Sequence, residues 1–358
     1  MSHTDSKPLR IAVGMSGGLD SSVAAALLME QGHEVVGFTA HLWSEGSRCC
    51  SLGDAMRARQ IAQFLGFEHY VIDAVDFFGE RIVDAFVEEY ARGRTPSPCV
   101  LCNQVIKFGL LLRDALELGC THIATGHYAR VERRPDGWHL LRGVDAKKDQ
   151  SYFLHRLDQA QLGRVVFPLG GWTKEQATEY AKTHNLPVPL ESESQDLCFV
   201  KEDGYAPFIE SRRPDLKKEG AVVDSSGKVV GSHEGFFRFT VGQREGIGVS
   251  AADRLYVKEV HADSNVVVVG TREEVSTTRC VVGQVAWVAG KPPPDESRLN
   301  VRLRYRHSGA PCVVHLREGS SVEVEFDQPQ FAVTPGQAAV FCDGDEVLGG
   351  GWIGGGEH

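Results

Sequence analysis

The chain has 358 residues, 42% of them hydrophobic and 24% charged, which excludes a largely disordered protein and suits two or three domains. No run approaches the ~20 apolar residues that cross a bilayer, and residues 1–10 carry neither a signal core nor an Arg-rich amphipathic stretch, so a cytoplasmic protein with no membrane partner is expected. A formal charge of −10 disfavours a general nucleic-acid coat protein, though not an enzyme that touches RNA through local basic patches.

Residues 9–125 read as strand and helix in alternation. An apolar strand at 9–13 breaks into a Gly/Ser loop, and a helix over 20–31 opens on Asp and Ser with Ala and Leu recurring on one face. Strands at 34–43, 69–75 and 121–127 and helices at 54–65, 80–91 and 103–118 follow. That alternation predicts an α/β fold, an open parallel sheet with helices on both faces. Beyond residue 128 come a hairpin across RRPDGWH, helices near Gln159 and over 173–184, and a loop carrying Cys198. From about residue 205 the chain turns to Gly/Ser turns and short Val-rich strands. The expected division is a nucleotide-binding catalytic domain at 1–205, a mixed connecting domain at 206–274 and a C-terminal β-barrel at 275–358.

The loop GMSGGLDSS contains Gly14, Met15, Ser16, Gly17, Gly18, Leu19, Asp20, Ser21 and Ser22, and it stands directly between the first strand and the first helix. Its glycines let backbone N–H groups turn inward, its serines add hydroxyls, and the helix start adds positive potential, so the segment can cradle a pyrophosphate. It is neither GxxxxGK(S/T), lacking the lysine, nor GxGxxG. Asp20 reads as a helix cap or as a hard oxygen ligand for a cation.

Nine cysteines, an odd count in a chain too long to need staples, point to a reducing compartment. Cys120, Cys280, Cys312 and Cys342 sit in or beside apolar runs and read as small buried hydrophobes. Cys99 and Cys102 form a CxxC ahead of the helix expected from residue 103, which would favour a thiolate at Cys102, with Arg94 and Lys107 close in sequence. The pair alone fits a redox couple, part of a metal site, or a core, and Cys198 in SESQDLCFV is the plausible third thiol.

The SGGxDS signature resembles the PP-loop ATP pyrophosphatases. GRTPSPCVLCNQVIKFG, ATGHYAR, KKDQSYFL, DLCF, GSHEGFFRFTVGQREGIG, LRYRH, TPGQAAVF and LGGGWI, in that order with CCS at residues 49–51, resemble the bacterial tRNA-specific 2-thiouridylases over the whole length. The resemblance implies use of ATP and Mg2+, with Asp20 helping to hold the cation. The C2 oxygen of wobble uridine 34 is adenylated, and sulfur replaces it to give 2-thiouridine, AMP and pyrophosphate. Cys198 would carry a persulfide and Cys102 would release its sulfur by forming a disulfide. Ala40 and Gly126 would contact adenosine through the backbone; Ser97, Pro98, Cys99, His127, Lys148, Asp149, Gln150, Tyr305, Arg306 and Gln337 would meet tRNA. Implied partners are lysine, glutamate and glutamine tRNAs and a cysteine desulfurase or sulfur-relay protein.

The motif departs from the NPDxxCN form of some relatives, with Cys99 where that form has aspartate. Cys99, Cys102 and Cys198 could therefore also ligate three irons of a 4Fe-4S cluster and leave the fourth open to sulfide, and the persulfide and cluster readings both stand. Lys147 and Lys148, Arg212, Arg213, Lys217 and Lys218, and Arg302, Arg304 and Arg306 offer phosphate-neutralising positions, or solvated faces. A related ATP-dependent ligase would have no use for the thiols, and an RNA-binding protein without catalysis none for the complete loop.

Overall fold

The computed structural model describes residues 8–43, 52–190, 197–201, 203–249 and 254–354. The first half alternates β1 (Arg10–Gly14), α1 (Leu19–Glu30), β2 (Glu34–His41), α2 (Leu52–Leu65), β3 (His69–Asp73), α3 (Val75–Phe78), α4 (Asp84–Ala91), α5 (Pro98–Leu101), α6 (Leu111–Glu117) and β4 (His122–Thr125). The hairpin β5 (Ala129–Arg134) and β6 (Gly137–Arg142), α7 (Gln159–Leu162), β7 (Val165–Val166), α8 (Lys174–Thr183) and α9 (Tyr205–Arg212) follow. Strands β1 to β4 and β7 form one parallel sheet in the order β3-β2-β1-β4-β7, as the alternation predicts. The order reverses at β1, so the crevice between the carboxyl ends of β1 and β4 is where such a sheet takes a ligand. Ile11, Val13, Ala25, Leu28 and Ile61 fill one side of the sheet, and Phe38, Phe78, Ile82 and Ile106 belong to a second apolar cluster.

Two helical boundaries differ from expectation. The helix expected from residue 103 starts at Pro98 and runs through a π-wound stretch, Cys102–Leu110, into α6. Proline suits a first turn because its missing N–H is not needed there. Cys102 therefore lies a turn inside the helix, and Cys99, not Cys102, occupies its first turn. Likewise the helix expected from residue 80 begins at Val75, with π-wound Gly79–Val83 between α3 and α4.

The later chain builds β8 (Gly220–Asp224), β9 (Val229–His233), β10 (Tyr256–His261) and β11 (Val266–Gly270) into a small sheet ordered β10-β11-β8-β9. Strands β12 (Ser276–Trp287), β13 (Ser297–Arg302), β14 (Ala310–Leu316), β15 (Val322–Phe331), β16 (Ala338–Asp343) and β17 (Glu346–Ile353) close into a barrel through the β12–β17 pairing. The hairpin β5–β6 leaves the parallel sheet and extends the barrel sheet, with Leu140 and Leu141 of β6 opposite Val347 and Glu346 of β17.

A buried ion pair crosses the same junction. Arg302 of β13 donates to the Asp149 carboxylate at 2.7 Å, and the two side chains are only 7% and 1% exposed. Asp149 also accepts from the backbone N–H groups of Gly143 and Ser151, each at 3.1 Å, while Arg302 donates to the Tyr305 carbonyl at 2.6 Å. Two expectations are corrected here. Arg302 is no phosphate contact, and the Asp149 carboxylate, offered as a tRNA contact, is spent inside the protein. Beside them His155 is fully buried, its Nδ1 2.7 Å from the Tyr152 carbonyl, and desolvation pushes its pKa down to about 3.

Arg302→Met should destabilise the protein by about 3–5 kcal/mol in urea unfolding, because it strands a buried carboxylate; a loss below about 1 kcal/mol would mean the pair is not holding the junction. His155 sets a pH dependence whose sign follows from its lowered folded pKa. The unfolded chain takes up a proton near the ordinary value of 6.5 and the folded chain does not, so this stability is present above 6.5 and is lost as pH falls towards about 3. Unfolding midpoints should fall on acidification while the His155 ring resonances stay unshifted to about pH 5; a ring titrating near its ordinary value would contradict the assignment.

Candidate nucleotide and sulfur-transfer site

The glycine loop leaves β1 at Gly14 and enters α1 at Leu19. Gly17 takes a φ of +72°, and a Cβ there would lie 2.7 Å from the Asp54 carbonyl oxygen on the first turn of α2. Only glycine lets the loop settle that deeply. Gly18 caps α1 without any side-chain hydrogen bond, so the first N–H groups of the helix have no side-chain cap and can serve an anion. The serines act differently from expectation: Ser21 and Ser22 are buried and donate to the Gly18 carbonyl at 3.3 and 2.7 Å, and Ser16 N–H donates to Ser21 Oγ at 3.3 Å. They brace the loop, while Met15 and Leu19 anchor it in the core. Thr39 of β2 adds a bond to the Met15 carbonyl at 2.8 Å, and its neighbour Ala40 is buried.

Across the crevice, Gly126 follows β4. A Cβ there would come within 2.6 Å of the Asp20 carbonyl carbon and 2.7 Å of the Ser21 nitrogen, so glycine alone permits β4 to end against the start of α1. The glycine cradle and the open helix start fit a nucleotide polyphosphate, and Ala40 and Gly126, which the resemblance implies for adenosine, lie on β2 and just after β4.

Asp20 has two partners that sequence reading did not single out. Tyr128 donates its hydroxyl to Oδ1 at 2.8 Å, and Lys174, at the first position of α8, donates its ammonium to the same oxygen at 2.7 Å. Burial and the Asp20 charge push the Tyr128 phenol up, so it remains a donor. Asp20 can supply a hard oxygen to Mg2+, and as it stands that carboxylate is balanced by the lysine.

His127, implied to face RNA, is instead buried between Phe108 and Phe167, each ring 6.0 Å away, with Nδ1 2.7 Å from Thr125 Oγ1. Desolvation first, then the Lys107 charge, pushes its pKa well down, so it is a neutral wall of the crevice.

Cys99 is exposed, whereas Cys102 and Cys198 are half-buried thiols against the main apolar core. Phe199 anchors the Cys198 segment, its ring 5.7 Å from Phe78 and 5.1 Å from Phe86. Asp196 and the acidic stretch before it lie outside the described residues, as do Cys49, Cys50 and Ser51. Among the described residues no group of three or more His, Cys, Asp or Glu side chains is placed to hold a metal ion. Cys99, Cys102 and Cys198 as placed therefore do not fit a three-thiolate cluster site. Burial pushes the Cys280 and Cys312 thiols up to about 12 and Cys342 to about 11, in keeping with inert packing.

The residues implied for tRNA come from three parts of the chain. Gln150 Oε1 accepts from the Tyr128 N–H at 3.0 Å, and the Asp145 carboxylate accepts from the N–H groups of Lys147 and Lys148 at 3.0 and 3.2 Å. Tyr305 packs on Phe153 with ring centroids 4.5 Å apart, and Arg304 and Arg306 are exposed beside it. Gln337 donates to the carbonyls of Thr95 and Pro96 at 3.0 and 3.2 Å, tying the barrel to the irregular segment that leads into Ser97, buried Pro98 and Cys99. A cleft of about 760 Å3 is lined by Thr95, Tyr205, Arg238, Arg304 and Gln337 among others, so it takes residues from the second and third of these parts and none from the Lys148–Gln150 loop. Arg213 and Lys217 are paired with Glu88, Asp215 and Glu210, so that basic run is largely neutralised.

Three family descriptions match successive segments: a tRNA methyl transferase HUP domain at residues 9–202, a tRNA methyl transferase PRC-barrel domain at 207–271 and an aminomethyltransferase beta-barrel domain at 277–353. The chain is 48% identical to the tRNA-specific 2-thiouridylase MnmA of Geobacter metallireducens, covering 98% of each chain. It is 45% identical to that of Geotalea uraniireducens, over 98% of this chain and 96% of the relative, and 44% identical to that of Nostoc punctiforme, over 96% and 98%. A solved U34-tRNA thiolase, NcsA from Methanococcus maripaludis with its 4Fe-4S cluster, is 19% identical, with a TM-score of 0.35 over 59% of this chain and 66% of that one, too distant to carry its cluster over. With full-length likeness at this level and all three segments matched in order, the chain belongs to the family of tRNA-specific 2-thiouridylases, MnmA.

Proposed function

We infer that the protein is a tRNA-uridine 2-sulfurtransferase that activates wobble uridine with ATP and replaces its C2 oxygen by sulfur. The observation that carries the reading is the uncapped start of α1 beneath a complete SGGxDS loop, on a domain that also holds two half-buried thiols. The family description speaks of methyl transfer, but a methyl transferase needs neither an ATP-cleaving loop nor a thiol pair, and thiolation uses both.

The C2 oxygen attacks the α-phosphorus of ATP, and pyrophosphate leaves from the anion cradle formed by Gly17, Gly18 and the α1 start. The terminal sulfur of a Cys198 persulfide attacks C2, and AMP leaves with the former C2 oxygen. Cys102 then attacks the Cys198 sulfur, which forms a disulfide and leaves sulfur on C2; the two thiols are oxidised as the sulfane sulfur is reduced. A thiol reductant resets the enzyme, and a cysteine desulfurase or sulfur-relay protein reloads Cys198. The apolar anchor at Phe199 lets Cys198 be held by a side while its thiol remains half-exposed. Lys148, Gln150, Tyr305 and Arg306 receive the anticodon arm of lysine, glutamate and glutamine tRNAs, and the target base leaves its stack at low cost because the loop is single-stranded. Asp149 serves by positioning these neighbours, through Arg302 and Tyr305.

Incubation of tRNA with the protein, ATP, Mg2+ and a persulfide donor, followed by mass analysis of nucleosides, should yield 2-thiouridine; a methylated nucleoside, or none, would contradict the reading. Cys198→Ser should lower the yield at least about a hundredfold, with tRNA affinity changed less than about threefold. Parental yield from the folded variant would make Cys198 purely structural.

A further inference from the structure

The glycine loop contains no lysine. The structure supplies one from 154 residues away, because the ammonium of Lys174 lies 2.7 Å from Asp20 at the first turn of α1. Lys174 is fixed at its backbone by two devices. Thr173 and Gln176 form a reciprocal capping box around it, and its own N–H donates to Asp145 Oδ2 at 3.0 Å. The side chain is 16% exposed, so the charge is held in the crevice rather than on a solvated face.

Electrostatics makes this an unexpected place for a cation. The N-terminal turn of a helix carries partial positive charge and repels an ammonium unless an anion accompanies it. Asp20 is that anion in the structure as it stands. A polyphosphate bound on the same N–H groups would carry more negative charge than one carboxylate, and a four-carbon stem can move its point charge a few ångströms with the backbone still.

We propose that Lys174 is the phosphate-binding lysine of this nucleotide site: its ammonium rests on Asp20 when the site is empty and transfers to the phosphate chain of ATP when it is filled. Asp145 extends the consequence to tRNA. Its other oxygen accepts from the N–H groups of Lys147 and Lys148, so one carboxylate fixes both the root of Lys174 and the loop implied to meet tRNA. The proposal rests on the adenylating reading only in assigning ATP to the crevice.

Two measurements on the full chain test it. Equilibrium binding of a non-hydrolysable α,β-methylene ATP analogue with Mg2+ should weaken about ten- to a hundredfold in Lys174→Met, the worth of a charge-assisted hydrogen bond or two, and recover to within a few-fold in Lys174→Arg. AMP binding, which lacks the β and γ phosphates, should change less than about threefold. Analogue affinity within about twofold of the parent, or equal loss for AMP, would overturn the proposal and leave Lys174 as a brace between α8 and α1. Because Lys174→Met could lose the α8 contact altogether, the unsubstituted protein provides the second test: an amine-reactive reagent read by peptide mass should label Lys174 less when the analogue is bound, and unchanged labelling would overturn the proposal. Neither readout requires thiolation. Absence of 2-thiouridine with Lys174 protected would refute the sulfurtransferase reading alone.

Discussion

In the nucleotide domain Gly126 lies so close to the first turn of α1 that no side chain larger than hydrogen fits. Much of the crevice follows from that contact. It brings the end of β4 alongside the phosphate loop, turns His127 inward between Phe108 and Phe167, and delivers the Tyr128 hydroxyl to Asp20. Gln150 then bonds the backbone of Tyr128 in both directions, so the loop implied to meet tRNA is registered against the same residue that touches the nucleotide loop.

The barrel is joined to this arrangement by polar contacts chosen for geometry rather than for net stability. A buried ion pair such as Asp149–Arg302 gains little over an apolar substitute, since both charges are desolvated. It does fix direction: Asp149 gathers two backbone N–H groups of the catalytic domain, and Arg302 reaches on to the Tyr305 carbonyl. Tyr305 and Arg306 are thereby set beside Phe153 and the Lys148–Gln150 loop, and Gln337 holds the approach to Cys99. The surface implied to meet RNA thus draws on both the nucleotide domain and the barrel, which would suit a substrate whose recognised bases lie on an exposed loop.

Sequence periodicity revealed the parallel sheet and the position of the glycine loop because both are local patterns: an apolar run, a turn and an amphipathic helix in succession. The helix start at Pro98 is hidden in the sequence because prolines and small polar residues are also the composition of a loop, although proline belongs in a first turn. Long-range pairings were not legible. Nothing near Lys174 indicates that it meets Asp20, and nothing in VRLRYRH separates buried Arg302 from exposed Arg304 and Arg306, since residues two apart share a face of a strand and only the coordinates show that β13 ends at Arg302. The joining of β5–β6 to the barrel was equally invisible, since its partner β17 lies at the far end of the chain. Motif spacing alone left a metal-binding set of thiols open, and only the coordinates show that among the described residues no such group is placed to hold a metal ion.

In the proposed reaction ATP is spent on the C2 oxygen of uridine and not on moving a terminal phosphate. Transfer RNA carrying oxygen-18 at C2 of the wobble uridine tests this directly. With the protein, ATP, Mg2+ and a persulfide donor, each 2-thiouridine formed should be matched by one AMP bearing a single heavy oxygen, and the pyrophosphate should be unlabelled. Heavy oxygen released to water, or ADP and phosphate as the nucleotide products of thiolation, would contradict it.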